Sequence, residues 1–332
     1  MKVALLGAGR IGRLHARLLA ATPGVDRLVV ADTLPDRAAQ VAADIGAGTV
    51  ENLEAALGEA EAVVIAAGTD GHAPLIRAAL QRGLPTFCEK PLAGDLATSL
   101  QLAAEIERAR LPFQLGFQRR FDPGYREARR LVTSGELGTL YAVRLAGHDP
   151  VPPHEAYIPI SGGLFRDFSI HDFDILRWLT GSEVSEVYAD GGVRGFPIFA
   201  RYDDVDTAVA TVRMVDGTLA VLTAARHDPL GYDIRTELFG ARDSVSVGLG
   251  PRTPMRSLEP GVAAPPGPAW LDFVDRFEPA YAAEFVAFMA VAAGTMPSPC
   301  TARDGVEALR AAEAATRSLH EHRPVTVAEI DG

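Results

Sequence analysis

The chain has 332 residues, of which 48% are hydrophobic, and its formal net charge at pH 7 is −11. This length allows two domains with separate cores, and this composition excludes a mainly disordered chain. The acidic balance argues against nucleic acid or an anionic membrane as a partner, because both repel a negatively charged surface.

Signals for export or membrane insertion are lacking in the sequence. The two cysteines, Cys88 and Cys300, have no metal-type spacing, which suits a reducing compartment. No run approaches the roughly 18 apolar residues of a membrane span. The opening residues, MKVALLG, have the pattern of a strand and not that of a secretory signal. We therefore expect a protein of the cytoplasm that has no membrane partner.

The first third of the chain alternates short apolar strands with helical stretches. Strands are predicted at KVALLG, RLVVAD, AEAVVIAAG, LPTFCEK and LPFQLGF, and helices around Pro74 to Arg82 and Asp95 to Arg110. Buried strands separated by amphipathic helices are typical of βαβ units. The pattern predicts an N-terminal α/β domain over residues 1–121, with a doubly wound parallel sheet of the Rossmann type.

A glycine motif, GAGRIG, joins the first predicted strand to a helix. Gly7 permits a tight turn, Gly9 lets the backbone approach a pyrophosphate, and Gly12 allows the helix to pack closely on the strand. The free N–H groups at the start of the helix favour phosphate. The motif therefore predicts a dinucleotide site, with an ordinary glycine-rich turn as the alternative.

The second strand ends on Asp32, twenty residues past Gly12. A carboxylate there accepts hydrogen bonds from ribose hydroxyls and repels a 2′-phosphate, which favours NAD over NADP. Arg37 would weaken that preference. The residues predicted to bind the cofactor in this region are Gly7, Gly9, Arg10, Ile11, Gly12 and Asp32.

Two later segments of the first domain carry further candidates. Lys90, in FCEKPLAGD, follows a predicted strand at the sheet edge where such folds bind ligands. The alternative is an ordinary surface lysine. In AAGTDGHAP, Thr69, Asp70 and His72 are candidate cofactor contacts, and the alternative is a helix N-cap formed by Thr69 or Asp70.

From Thr139 onward the strands become longer and alternate in polarity. They are TLYAVRLAGHD, DTAVATVRM, GTLAVLTAARH, YDIRTELFG and RDSVSVGL, followed by helices at Tyr281 to Ala293 and Arg303 to His322. Strands without helices between them indicate an open antiparallel or mixed sheet. We predict a second α/β domain over residues 122–332, built on a large, open, mostly antiparallel sheet.

The stretch GGLFRDFSIHDFDILRWLTG has a helical apolar stripe and ends on a C-cap glycine, Gly181. Asp167, His171 and Asp174 follow at i, i+4 and i+7, which places them on one face of a helix. The pattern alone leaves open whether this face lines a ligand cleft.

Two other interpretations of this face stay open. His171 could be a buried histidine paired with Asp174. Alternatively, His171 and Asp167 could bind a metal together with His148 or His154, although that spacing matches no standard metal motif. We predict no metal.

GAGRIG, the Glu89-Lys90-Pro91 triplet and GGLFRDFSIHDFD together resemble the Gfo/Idh/MocA family of nicotinamide-dependent sugar and polyol oxidoreductases, over essentially the whole chain. The resemblance implies NAD-dependent oxidation of a secondary alcohol to a ketone, with myo-inositol as the expected substrate. It also implies a homo-oligomer, a dimer or a tetramer. The alternatives are a dehydrogenase of another sugar, an amino sugar or scyllo-inositol, and a non-catalytic dinucleotide-binding sensor.

The resemblance also implies site residues. Lys90 corresponds to the catalytic lysine, His171 to the catalytic histidine and Asp167 to the carboxylate beside them, with Asp174 as a supporting partner. Glu89 joins the cofactor contacts. Of the tandem arginines, the first points toward substrate, and Arg120 is a surface or ion-pair residue. The residues thus implied to bind substrate are Lys90, Arg119, Asp167 and His171. Their positions in the chain make Asp149, Tyr157 and Tyr232 further substrate candidates, with His148 as an alternative to Asp149 and packing as the alternative for the tyrosines.

Overall fold

The computed structural model describes residues 1–50 and 52–330 of the chain. They divide into two units: Met1–Phe121 with Pro279–Val306, and Asp122–Glu278 with the segment that begins at Glu307. The chain first passes from one unit to the other between Phe121 and Asp122. The return of Pro279–Val306 to the first unit was not predicted, because each of the two C-terminal helices begins in one unit and ends in the other.

The first unit contains a six-stranded parallel sheet in the order β3-β2-β1-β4-β5-β6. This order is that of a doubly wound dinucleotide fold, as predicted. The strands are β1 (Lys2–Leu6), β2 (Arg27–Ala31), β3 (Gly48–Thr49), β4 (Ala62–Ile65), β5 (Thr86–Glu89) and β6 (Phe113–Gly116). The helices are α1 (Arg10–Ala20), α2 (Pro35–Ile45), α3 (Leu53–Glu59), α4 (Thr69–Gln81) and α5 (Leu96–Ala109).

The strands of this sheet are apolar without alternation because both faces are covered. All four residues of β4 are buried, and β1 is buried from Val3 to Leu6. The carboxyl ends of β1, β2, β4 and β5 lead directly into the glycine motif, Asp32, the Thr69 turn and Lys90. Since neighbouring parallel strands end at one edge of a sheet, the predicted cofactor residues share that edge.

The second unit is built on a seven-stranded sheet in the order β12-β11-β7-β10-β9-β8-β13. Its strands are β7 (Leu140–His148), β8 (Val184–Gly192), β9 (Thr207–Met214), β10 (Leu219–Ala225), β11 (Asp233–Gly240), β12 (Ser244–Val247) and β13 (Val325–Thr326). The helices that begin after β6 are α6 (Pro123–Thr133), α7 (Ile158–Ser161), α8 (Ile170–Thr180), α9 (Phe273–Ala292) and α10 (Ala302–Glu321).

The sheet is mixed and mostly antiparallel, as predicted, with β7 and β10 as its parallel pair. Burial alternates along β9, so one face of this strand packs on the core and the other does not. Strand β8 was not predicted, because SEVYADGG is rich in residues that strands disfavour. Within the described part of the chain, no helix is both long enough and apolar enough to cross a bilayer.

Candidate active site

The glycine turn between β1 and α1 depends on two of its three glycines for folding. Gly7 has a φ of +104°, and a Cβ built on it would lie 2.6 Å from the backbone of Ala66. A Cβ on Gly12 would lie 2.1 Å from the carbonyl oxygen of Gly7. Side chains at either position would force the strand and the helix apart.

Gly9 differs from these two glycines. Its φ of −72° and ψ of −159° suit any residue, and a Cβ there would meet no described atom within 4 Å. The fold therefore does not require glycine at this position. Without a side chain, the first N–H groups of α1 can be approached closely, and Arg10 and Ile11 begin that helix. The turn fits a bound pyrophosphate.

Asp32, at the end of β2, is bound to the backbone of both neighbouring turns. Its Oδ2 accepts the N–H of Ala8 at 2.7 Å, and its Oδ1 accepts the N–H of Leu34 at 2.9 Å. Oδ1 also accepts the hydroxyl of Thr33 at 3.4 Å, whereas Oδ2 retains a lone pair for a ribose hydroxyl. Arg37 lies 3.8 Å from Oδ1 and offsets part of the charge that would repel a 2′-phosphate. The residues at this edge fit NAD.

Glu89, at the end of β5, holds the backbone at Lys90. Its Oε2 accepts the N–H of Lys90 at 3.2 Å, and its Oε1 lies 2.6 Å from Nε2 of His15. His15 is fully buried on α1, with the ring of Phe285 at 4.8 Å in an edge-to-face contact. This histidine was not predicted, although it lies only three residues past the glycine motif. It connects the helix of the cofactor turn to the strand that carries Lys90.

His72 holds the turn after Lys90 from the other side. It is 1% exposed, and its ring nitrogens lie 2.7 Å from the carbonyl oxygen of Pro91 and 3.2 Å from that of Ala67. Burial lowers the pKa of His72, so the ring is neutral near pH 7. These contacts are those of a residue that positions the turn, and a direct contact with the cofactor stays a prediction. Thr69 is the first residue of α4 and is partly exposed.

The tandem arginines lie in a 3₁₀ turn at Gln118–Phe121, and both are buried. Arg120 forms an ion pair with Asp304 at 3.0 Å and donates a hydrogen bond to the carbonyl oxygen of Pro299 at 2.9 Å. It is therefore an ion-pair residue and not a surface residue. Arg119 is only 2% exposed, so its predicted contact with substrate stays a prediction.

In the second unit, the segment that carries Asp167 is not a regular α-helix. Gly162 and Gly163 have φ values of +84° and +90°, a π-helical turn follows at Phe165–Ser169, and α8 begins at Ile170. The prediction of a continuous helical face is therefore wrong for residues 165–169. The two glycines adopt the left-handed conformation without strain and redirect the chain into the turn, and π turns often occur at functional sites. Gly181 ends α8 in the left-handed conformation, as predicted.

Asp167 is bound at both carboxylate oxygens. The hydroxyl of Tyr157 donates to Oδ1 at 2.8 Å, and Nη1 of Arg226 lies 2.9 Å from Oδ2. The same Nη1 lies 3.5 Å from Oδ2 of Asp149. The structure thus brings together Asp149, Tyr157 and Asp167, three of the predicted substrate residues. It adds Arg226, which sequence reasoning missed because it follows an unremarkable strand.

The ionisation of this cluster follows from its burial. Burial raises the pKa of Tyr157, and the neighbouring Asp167 raises it further, so the phenol remains a donor at neutral pH. Burial alone lowers the pKa of Arg226, but the carboxylates of Asp167 and Asp149 outweigh it and raise that pKa. The cluster therefore holds a permanent cation between two carboxylates.

His171 lies in the first turn of α8 and is partly exposed, whereas Asp172 and Asp174 are each 1% exposed. His171 is less buried than Asp172 and Asp174, although its Nδ1 atom is itself buried. Asp174 belongs to the interior. The catalytic role of His171 and the supporting role of Asp174 stay predictions.

A second cluster lies where β7 ends and β11 begins. Nδ1 of His148 lies 3.7 Å from Asp228 and 3.8 Å from Asp233, and these three side chains could share a cation. Arg235, however, binds both oxygens of Asp233, at 2.8 and 2.9 Å. A metal would have to compete with that guanidinium, so we interpret the group as an ion-pair cluster.

Tyr232, beside this cluster, is 5% exposed. Its ring packs edge to face on Phe277, with the ring centroids 6.4 Å apart. Its predicted hydrogen bond to substrate stays a prediction.

Comparison with known proteins agrees with this geometry. A family model described as an oxidoreductase family with an NAD-binding Rossmann fold matches residues 1–117, and the GFO/IDH/MocA C-terminal domain model matches residues 125–246. A myo-inositol dehydrogenase of Streptomyces leeuwenhoekii is 42% identical over 96% of this chain and 97% of that protein. The scyllo-inositol 2-dehydrogenase (NAD(+)) of Bacillus subtilis is 33% identical over 98% of this chain and 96% of that protein.

A crystal structure of scyllo-inositol dehydrogenase from Lactobacillus casei, with bound NAD(H) and scyllo-inositol, is also similar. Its TM-score is 0.89 at 29% sequence identity, and the match covers 99% of each chain. Both halves of the chain therefore match one family in sequence, and the whole chain matches it in fold. The chain belongs to the Gfo/Idh/MocA family of NAD-dependent oxidoreductases.

Proposed function

We propose that this chain oxidises a secondary alcohol of myo-inositol to 2-keto-myo-inositol, with NAD as the hydride acceptor. Relatives named as inositol dehydrogenases match over nearly the whole chain, which supports this substrate class. The observation that carries the proposal is the bound carboxylate of Asp167, with a phenol on one oxygen and a buried guanidinium on the other. A buried ion pair adds little net stability, so its presence here supports a functional role for the carboxylate.

When bound, NAD supplies the hydride acceptor, so the alcohol loses a hydride and a proton while NAD⁺ becomes NADH. Lys90 donates a hydrogen bond from its ammonium to the reacting oxygen and stabilises the developing alkoxide. His171 accepts the hydroxyl proton, a task suited to imidazole near neutral pH. Asp167 orients the imidazole or binds a neighbouring hydroxyl.

The composition of the chain supports a special role for Lys90. The chain contains only two lysines, Lys2 and Lys90, and every other permanently cationic side chain is an arginine. A lysine offers a compact ammonium that can approach one oxygen atom, which the planar guanidinium of arginine does poorly. The use of lysine instead of arginine directly after β5 therefore supports a role for the Nζ atom of Lys90 in the reaction.

Further contacts belong to the same proposal. On the cofactor side they are Gly7, Gly9, Arg10, Ile11, Gly12, Asp32, Thr69, His72, Glu89 and Lys90. On the substrate side they are Lys90, Arg119, Asp149, Tyr157, Asp167, His171 and Tyr232. Hydroxyl groups of a polyol suit these short polar and charged side chains. We also infer that the protein is a homo-oligomer, either a dimer or a tetramer, which light scattering tests. We infer that it works in the cytoplasm, which cell fractionation tests.

The closest competing substrate is scyllo-inositol. A relative that is 33% identical carries that name, and a similar solved structure contains scyllo-inositol. NADH formation with myo-inositol, scyllo-inositol, glucose and xylose separates the candidates. We expect the highest kcat/KM with myo-inositol. NAD binding without turnover of any polyol would contradict the proposal and favour a sensor.

The catalytic assignment is tested by Lys90→Met and His171→Gln. Each variant should lose kcat by at least about 100-fold, because a positioned proton donor or acceptor contributes 10² to 10⁴. NAD affinity should change little in His171→Gln, because His171 is not among the proposed cofactor contacts. Lys2→Met is the matched control, because it removes the other lysine from an exposed position. Full turnover in Lys90→Met or His171→Gln would remove that residue from the mechanism.

A further inference from the structure

Arg226 follows the last residue of β10 and is almost completely buried, with 3% of its side chain exposed. Its guanidinium faces Asp167 at 2.9 Å and Asp149 at 3.5 Å, and Asp204 is a third carboxylate in its field. A buried arginine needs close anionic partners, since its charge is otherwise poorly solvated. Because one of these partners is Asp167, the contacts of Arg226 bear on the proposed reaction.

Strand pairing explains why Arg226 reaches these carboxylates. β10 runs parallel to β7, with Ala225 opposite His148, so Arg226 and Asp149 leave the sheet at the same edge. The N–H of Asp149 donates to the carbonyl oxygen of Ala225 at 2.9 Å, which fixes this exit. The backbone N–H of Arg226 donates to the backbone carbonyl oxygen of Asp206 at 2.8 Å. Backbone hydrogen bonds at the end of β10 thus fix the position of Arg226.

The π turn that carries Asp167 packs against the same two strands. The guanidinium of Arg226 lies over the ring of Phe168, 5.7 Å from its centroid. That ring fits because β7 has glycine at position 147, where a Cβ would lie 2.6 Å from Cε1 of Phe168. The Leu164 N–H, one turn earlier, donates to Oδ1 of Asp204 at 3.0 Å. Packing and hydrogen bonds therefore hold Asp167 against Arg226.

We propose that Arg226 is a positioning residue, which fixes the Asp167 carboxylate in its ionised form and in one orientation for the reaction. The inference rests on the proposed function, in which Asp167 serves the alcohol oxidation. Arg226 takes Oδ2 and Tyr157 takes Oδ1, so groups from two separate segments set the plane of the carboxylate. Arg226 acts through Asp167 and need not contact substrate.

The charged and titratable groups around Asp167 predict what removal of Arg226 does. Among the described contacts they are Arg226 after β10, Tyr157 before α7, Asp149 after β7 and Asp204 before β9. On α8, His171 follows Asp167 by four residues, and the Asp172 carboxylate faces Gly147 beside Phe168. Without the guanidinium, Asp167 keeps its carboxylate neighbours and loses the cation that lies 2.9 Å from Oδ2. Its protonated form is then favoured, and protonation occurs at higher pH.

The test compares Arg226→Met and Arg226→Lys by the pH profile of kcat/KM. In Arg226→Met the acidic limb should move up by about one pH unit or more, the effect of losing an adjacent opposite charge. Arg226→Lys keeps the charge and should bring the limb back toward wild type. Arg177→Met is the matched control, because Arg177 is a buried arginine paired with Glu183 at the far end of α8.

A double variant tests whether the effect passes through Asp167. If it does, Asp167→Asn with Arg226→Met should be no slower than Asp167→Asn alone. An unmoved acidic limb in Arg226→Met, or losses that multiply in the double variant, would overturn the proposal. NAD binding and circular dichroism verify that each variant is folded.

The failure of the proposed function would look different. A wild-type protein that binds NAD and oxidises no polyol would exclude that function, while the carboxyl ¹³C signal of Asp167 could still be titrated. A titration midpoint in Arg226→Met that is identical to that of wild type would overturn the role of Arg226. A midpoint that rises in Arg226→Met and returns in Arg226→Lys would support it.

Discussion

In the first unit, Asp32 is held by backbone N–H groups of Ala8 and Leu34, whereas in the second unit Asp167 is held by the side chains of Tyr157 and Arg226. Asp32 lies in the turn after β2, and Asp167 lies in the π turn before α8. Every residue except proline has a backbone N–H group, so the contacts of Asp32 do not require particular side chains. They require the turn conformation, which depends on the glycines. The contacts of Asp167 depend on two particular side chains.

The comparison indicates where each unit is sensitive to substitution. In the first unit we expect backbone shape to decide cofactor binding. In the second unit we expect individual side chains to decide turnover, with little effect on cofactor binding. Three substitutions, ordered by expected effect, and one matched control test this contrast.

Gly12→Ala should have the largest effect. The new Cβ would lie 2.1 Å from the carbonyl oxygen of Gly7, and neither backbone segment can yield cheaply. We expect a loss of about 3 kcal/mol in the free energy of unfolding, the upper end for overpacking, together with loss of NAD binding. Urea unfolding and NAD titration measure both.

Gly9→Ala is the matched control for that change. Its backbone angles suit alanine, and the added methyl group meets no described atom within 4 Å. Stability should stay within about 0.5 kcal/mol of wild type, while NAD affinity falls by roughly tenfold or more. Equal NAD affinity in Gly9→Ala and wild type would show that this glycine does not serve the cofactor.

Gly147→Ala should have an intermediate effect in the second unit. The methyl group would lie 2.6 Å from Phe168 and would push the π turn away from β7. We expect a stability loss of about 1 to 3 kcal/mol and a lower kcat/KM, with unchanged NAD affinity. Adding Phe168→Leu should recover part of the stability. A parallel loss of NAD affinity would contradict the separation of roles between the units.

Tyr157→Phe should have the smallest effect. It removes one hydrogen bond to Asp167 from a side chain that is 42% exposed. We expect kcat/KM to fall by about threefold to tenfold, as for the loss of one ordinary hydrogen bond. Because the pKa of this phenol is raised, it does not titrate near neutral pH, and the alkaline limb should not move. A fall as large as that of Arg226→Met would mean that Tyr157 has a larger role.

Much of the first unit was predictable because its signals are local. The glycine spacing, the Asp32 position and the Glu89-Lys90-Pro91 triplet each lie within one strand and its following turn. The contacts of His15 and His72 were not predictable in this way. Each joins segments far apart in sequence, His15 to Glu89 and His72 to Pro91, and burial cannot be inferred from the residue type.

The second unit shows the same limit more strongly. The helix around His171 and its C-cap at Gly181 were predicted from periodicity, but the π turn at Phe165–Ser169 was not. A prediction from helical periodicity assumes that the number of residues per turn is constant. Here two consecutive left-handed glycines and packing on β7 change the helical geometry. The burial of Asp174 and Arg119 likewise depends on neighbours that the sequence does not identify.

The sequence by itself determined the two sheet types, the glycine turn and the identity of the candidate lysine, histidine and carboxylate. Hydrophobic period, glycine spacing and strand length act over a few residues, so they can be read directly along the chain. Only the tertiary structure decided that β10 lies beside β7 and therefore that Arg226 meets Asp149 and Asp167. Strand neighbours are selected by the packing of the whole sheet, which no short segment encodes.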